Sequence, residues 1–272
     1  MSPAGTQLSE AHRKELARAR KLLEKDNLAT RLADFAGKPL QNVLERAPLS
    51  VRRKVDAAIQ RAIVESLNLA IRSLKDAPKR PPRQRLASVW AGVAGGFGGV
   101  FGAAALPVEL PLTTVLMLRA IADIARHYGE DLNRLEARLA CVEVFAHGSE
   151  KRADMGYYAT RAMLGKLAGD ASALLVQRGA SGLAGPAVAA LSGEIATRFG
   201  VVVWEKIAAS AVPLAGAVSA ATINMAFMNH FQSVARGHFM VRRLERIYGA
   251  EAVREEYRRL SGQDAGNGKA GS

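Results

Sequence analysis

The feature that most restricts how this chain can fold is a charge-free, glycine-crowded run from Leu86 to Gly102. Six of the eleven residues from Gly92 to Gly102 are glycine. Each glycine costs a helix about 1 kcal/mol relative to alanine, so a helix here cannot rest on its own propensity. The spacing gives a compensation. Gly92/Gly96, Gly95/Gly99 and Gly98/Gly102 are each four apart, a ridge of small residues against which a neighbouring backbone can lie closely. Gly92, Gly95, Gly96 and Gly99 are therefore expected at a tight helix–helix contact, and Gly96→Leu is expected to disrupt folding. A phosphate-cradling loop is the rival reading, and the residues argue against it. Gly96-Phe97-Gly98-Gly99-Val100-Phe101 fails the GxGxxG pattern at its last position, and no strand pattern precedes it. The segment Gly156 to Lys166 is followed by Leu167, where a P-loop needs Ser or Thr.

The rest of the chain is patterned as helix. Hydrophobic residues make up 49% of it, mostly Ala, Leu and Val, and aromatics only 6%, a mixture that favours helices over sheets. The expected fold is all-α, a compact multi-helix bundle with Gly/Ala-rich central helices. Ser9 can cap a helix to about Asp26, and Asn27 a short one that Gly37 ends. Pro39 and Pro48 bracket another short segment. Ser50 can cap a long helix to Asp76 whose Val55, Ile59, Ile63, Leu67, Ile71 and Leu74 share one face. Pro111 suits the first turn of a helix that Gly129 ends. Asn133 and Glu136 form a capping box for a helix reaching Gly148. Further helices are expected over Glu150–Gln177, from Ala187 past Trp204, from about Leu214 to Tyr248 with Gly249 as stop, and over Ala252–Leu260. Residues 1–8 and the tail after Ser261 are expected to be disordered. The organisation read from this is basic N-terminal helices and a Pro-rich linker over 9–85, a helical core over 86–249, and a short end helix in 250–272. Arg126-His127-Tyr128-Gly129 echoes Arg246-Ile247-Tyr248-Gly249, which reads as two helix stops packed by tyrosine.

Charge is unevenly placed. The net charge is +13, and residues 1–85 hold 19 Lys/Arg against 9 Asp/Glu. Residues 86–128 balance Arg119 and Arg126 against Glu109 and Asp123. A basic front half beside a neutral apolar run points to an anionic partner. Lys79, Arg80, Arg83 and Arg85 in the linker carry no acid among them and suit an anionic lipid surface. The single cysteine, Cys141, excludes an internal disulfide and fits a reducing compartment. The N-terminus shows no apolar signal-peptide core.

Few residues suggest chemistry. Asp123/His127 and Glu143/His147 are carboxylate–histidine pairs at i,i+4 spacing, and antiparallel helices would converge them as a 2-His-2-carboxylate set. Both histidines also precede a helix-ending glycine, where a cation suits the helix dipole without any ligand role. The expectation is no metal at these four residues. His230 and His238 are eight apart and share a face. Glu109, an acid in an apolar stretch, is expected to cap the helix beginning at Pro111. Asn224 and Asn229 are expected to bridge helices. No HExxH, paired cysteines or nucleophile elbow is present.

The glycine run before Glu109-Leu110-Pro111, the Tyr128-Gly129 stop, Pro213-Leu214-Ala215-Gly216-Ala217 leading to Asn224, and Ala235-Arg236-Gly237-His238-Phe239 resemble the EcsC family of bacterial proteins. The resemblance spans roughly Val51 to Gly249. Glu109 stands where the family's turn usually carries Asp, so no role needing that residue is carried over. The family takes its name from a gene beside an ABC-transporter operon. The resemblance implies a helical domain working near membranes and supplies no catalytic residues. Together the readings favour a non-enzymatic cytoplasmic protein at the inner face of the membrane. Its expected partner is an anionic membrane surface or a membrane transport protein. Three alternatives stay open. One is an integral membrane protein with Ala/Gly-rich hairpins, through Leu86–Leu106 and Ile207–Ala235. Another is an enzyme using Glu109 with His127 or His147. The third is nucleic-acid binding by the basic N-terminal helices, for which no motif accompanies the charge. No cofactor or small-molecule ligand is indicated.

Overall fold

The computed structural model describes residues 7–24, 48–72, 106–147, 156–211 and 220–267. Every regular element among them is helical. The elements are α1 (Glu10–Glu24), α2 (Leu49–Arg72), α3 (Leu106–His127), α4 (Leu135–Glu143) continued by a 3₁₀ turn (Val144–Ala146), α5 (Tyr157–Arg178), a second 3₁₀ segment (Gly179–Ala184), α6 (Pro186–Ala211), α7 (Ala220–Tyr248) and α8 (Ala250–Asn267). The all-α bundle expected from the sequence is the architecture observed. The glycine ridge Gly92, Gly95, Gly96 and Gly99, the cations Lys79, Arg80, Arg83 and Arg85, and the elements expected between Asn27 and Arg46 lie outside the described residues.

Helix α3 packs against α2 and α7, α2 also meets α4 and α6, and α1 runs along α7 with α8 beside both. The apolar stripe of α2 does what its period requires: Val55, Ile59, Ile63 and Leu67 are all buried. The centre is aromatic. Phe145 of the first 3₁₀ turn meets Phe199 of α6 at 5.1 Å and Phe231 of α7 at 5.4 Å between ring centres, and Phe227 meets Phe231 at 5.2 Å. Trp204 Nε1 donates to Asp56 at 3.3 Å, and Arg138 donates to the Ile71 carbonyl at 2.7 Å, satisfying one of the last acceptors of α2.

A close backbone approach does occur among the described residues, at Gly237 of α7. A Cβ there would stand 2.8 Å from Leu23 Cγ and 2.9 Å from the Ala19 carbonyl oxygen. Only a residue without a side chain lets α1 lie so near α7.

Local punctuation behaves partly as expected. Ser9 Oγ accepts from the His12 N–H at 3.3 Å, so Ser9 caps α1. Gly129 and Gly249 end their helices with φ of 81° and 89°. Four expectations need correction. Helix α2 starts at Leu49, with the Pro48 carbonyl accepting from Val51 and Arg52 at 3.0 Å, so Ser50 lies inside the first turn. Pro111 lies inside α3, which begins at Leu106, so Glu109 belongs to its first turn and does not precede it. Pro107 supplies the early proline that needs no N–H partner. Asn133 is not a cap: α4 starts at Leu135 behind Arg134, and Asp131 Oδ1 takes the Asn133 backbone N–H at 3.0 Å and its amide at 2.9 Å. The last helix does not stop near Leu260 but continues past Ser261 to Asn267.

Among the described residues one stretch, Pro186–Ala208 in α6, is long and apolar enough to cross a bilayer by composition, with 44% of its most apolar window buried inside the bundle. The stretch Ile207–Ala235 falls across the end of α6 and the start of α7.

Candidate functional site

Two polar clusters lie along α7. The first is ionic. The turn after Gly129 brings Glu130 under α7, where Arg242 binds it through two bonds of 2.8 and 3.1 Å and Arg246 binds the same carboxylate. Arg246 also donates to the Tyr128 carbonyl. The two echoed helix stops therefore touch each other. Burial pushes the Glu130 carboxyl up, but the Arg242 hydrogen bond and the charges of Arg242 and Arg246 outweigh it and hold it below its ordinary value.

The second cluster is made of Glu143, His147, Tyr157 and His238, all buried. Glu143 ends α4, and the 3₁₀ turn carries the chain on to His147. Phe145, between them, is wedged against Phe199 and Phe231 and fixes the turn. Tyr157 opens α5 and His238 lies midway along α7. The His147 ring sits 5.1 Å from Tyr157 and 5.0 Å from His238, centre to centre. Tyr157 Oη and His238 Nδ1 are 3.0 Å apart and hydrogen-bonded. Among the described residues, neither ring nitrogen of His147, and not Nε2 of His238, meets a hydrogen-bonding partner. One turn beyond Tyr157, Arg161 grips Glu245 at 2.6 Å, and Tyr158 donates to the same carboxylate at 3.2 Å.

Burial governs the ionisation of this cluster. It pushes His147 down to about 3, with the charges of Arg161 and Arg198 acting in the same direction. It pushes His238 well below its usual value, helped by His147, Arg161 and Arg242. It raises the Glu143 carboxyl, against the pull of Arg242 and Arg161, and it raises the Tyr157 phenol. Burial thus disfavours the charged form of both imidazoles, and a neutral imidazole carries one lone pair. One ligand atom from each of Glu143, His147 and His238 lies within 4.8 Å of the others, the metal-capable set among the described residues. Glu143 faces a cleft of about 1180 Å³ that Glu136, Leu139, Arg161, Gly165 and Arg242 also line.

The sequence-level candidates are thus redistributed. Glu143 and His147 come together, as their spacing suggested, but the third group is His238. Asp123 instead accepts from Arg126 at 3.1 Å. His127 stacks edge-on with Tyr128 and lines a separate pocket with Lys14, Arg18 and Arg243. His230 is buried against Phe231. Only the backbone of Glu109 is described. Sequence reasoning missed Tyr157 and Arg161 altogether, and it paired His238 with His230 on its own helix. Its one available signal was the position of His238 beside Gly237, in a string already singled out for resemblance.

No curated protein and no solved structure matches the chain. Residues 10–244 of its 272 match the model of the EcsC protein family, and the chain belongs to that family.

Proposed function

We propose that this EcsC-family protein is a non-enzymatic accessory protein that docks by charge on the anionic cytoplasmic face of a membrane, beside a membrane transport protein. The observation that carries the reading is the charge partition: 19 Lys/Arg against 9 Asp/Glu in residues 1–85, next to the neutral run 86–128. The described helices support it. Lys14, Arg18 and Lys21 are exposed and recur at four and three residues, so they form one basic stripe along α1. At the start of α2, Leu49 is 72% exposed and is followed by exposed Arg53 and Lys54. An apolar tip followed by cations suits the head-group region of an anionic leaflet.

Liposome flotation tests the reading. The full chain should float with vesicles containing phosphatidylserine or phosphatidylglycerol, and the bound fraction should fall several-fold between about 50 and 500 mM salt as charge is screened. Replacing Lys79, Arg80, Arg83 and Arg85 with Gln should weaken binding. Equal binding to neutral vesicles that survives carbonate washing would replace docking by insertion. No binding to any vesicle would remove the membrane from the account.

A further inference from the structure

We infer that Glu143, His147 and His238 form a binding site for one divalent transition-metal ion, with Tyr157 holding His238 in the ligating orientation. The inference is independent of the membrane reading, which uses none of these residues.

Buried polar atoms in folded proteins almost always have partners, and each exception calls for an explanation. Other buried polar atoms also lack a hydrogen-bond partner among the described residues, but here three such ring nitrogens fall together on two adjacent imidazoles. A buried Glu143 carboxylate stands with them, its ligand atom within 4.8 Å of theirs. Two imidazoles and one carboxylate are a donor set for zinc, iron or manganese.

The surroundings fit the same purpose. A ligating histidine ordinarily donates its other ring N–H to a fixed partner. The Tyr157 oxygen, 3.0 Å from His238 Nδ1, is such a partner, and the tautomer that donates to it leaves the Nε2 lone pair available. Phe145 locks the turn between the other two ligands. Zinc with bonds of about 2.1 Å holds tetrahedral ligands about 3.4 Å apart, so small side-chain rotations bring the set into range. Three protein ligands leave a coordination position for water or a small anion, and the cleft on the Glu143 side supplies access. The antiparallel pairing of Asp123/His127 with Glu143/His147 is not the set that forms. The missing ligand comes from α7, more than ninety residues along the chain from His147.

The test uses the full chain purified without a histidine tag, stripped with chelator, then loaded with zinc, manganese or, anaerobically, ferrous iron. Wild-type protein should retain about one equivalent of one of these ions after gel filtration, with a raised melting temperature. His238→Gln and Glu143→Gln should each retain less than about 0.1 equivalents. His127→Ala and Asp123→Asn should keep the full amount. Should the His238 or Glu143 variants fail to fold, cobalt loading of the wild type decides: visible absorption of four- or five-coordinate cobalt at one equivalent supports the site. Wild-type protein that holds none of these ions, or ion retention abolished by His127→Ala, would overturn it.

Discussion

The two clusters on α7 are built from similar materials and come out differently. Around Glu130, two guanidinium groups converge on one carboxylate, and the Tyr128 carbonyl takes a further donor. Around His147, two imidazoles and a carboxylate gather near one phenol, and three ring nitrogens have no partner among the described residues. Residues four and eight positions apart on one helix, His238, Arg242 and Arg246, serve both. The contrast separates structure from function. A network whose donors and acceptors match holds the fold and needs nothing more. A buried set of ring nitrogens without partners weakens the fold unless something binds there.

The largest effect should come from breaking the matched cluster. Glu130→Ala leaves Arg242, whose side chain is 15% exposed, without its buried partner and with only the exposed Glu136 carboxylate, at 4.0 Å, nearby. Removing one partner of such a pair should cost about 3 kcal/mol. For a chain of this size that lowers the melting temperature by roughly 6–12 °C, readable by circular dichroism. A loss under about 1 kcal/mol would mean that the Glu130 network is ornamental, and the contrast with the His147 cluster would fail.

A smaller loss should follow Gly237→Ala. Position 237 adjoins His238 and sits against α1, where an added methyl group meets the Ala19 carbonyl oxygen at 2.9 Å. The helices must part, at about 2 kcal/mol, because overfilling a close contact shifts backbone. If the unmatched nitrogens merely reflected a loosely packed region, the adjoining contact would give way cheaply. A variant as stable as the wild type in urea titration would favour that explanation.

What could be read in the sequence follows the range of each interaction. Ser9, Gly129 and Gly249 act within one turn of themselves, and each ends or starts its helix where the residues indicated. The i,i+4 relation of Glu143 and His147 is equally local and survives, tightened by the 3₁₀ turn. Competition between neighbours was harder to see. Asn133 had a capping-box pattern, yet Asp131 two residues earlier captured its N–H and its amide. Pro111 suits a first turn, but the helix starts at Leu106 and gives that place to Pro107. The meeting of His147 with Tyr157 and His238 depends on how α4, α5 and α7 assemble. No spacing rule within one helix contains that information.

The smallest expected effect is the most discriminating. In chelator, His147→Leu should change stability by no more than about 1 kcal/mol in either direction. The substitution removes a buried group that makes no hydrogen bond, which relieves a desolvation cost of about 1–3 kcal/mol. It also removes ring contacts with Tyr157 and His238, at 5.1 and 5.0 Å, worth about 0.5–1.5 kcal/mol each. Leucine is close to histidine in size, so little strain or empty space results. These contributions nearly cancel, in contrast to Glu130→Ala, where the lost arginine contacts outweigh the relieved burial of the carboxylate. Adding zinc should then separate the proteins: the wild type gains stability by mass action, and the variant, lacking one ligand, does not. The measurement is a pair of urea titrations, with and without the ion. A loss above about 3 kcal/mol in chelator would show that His147 is already bonded in the metal-free protein, and the two clusters would then differ in degree only.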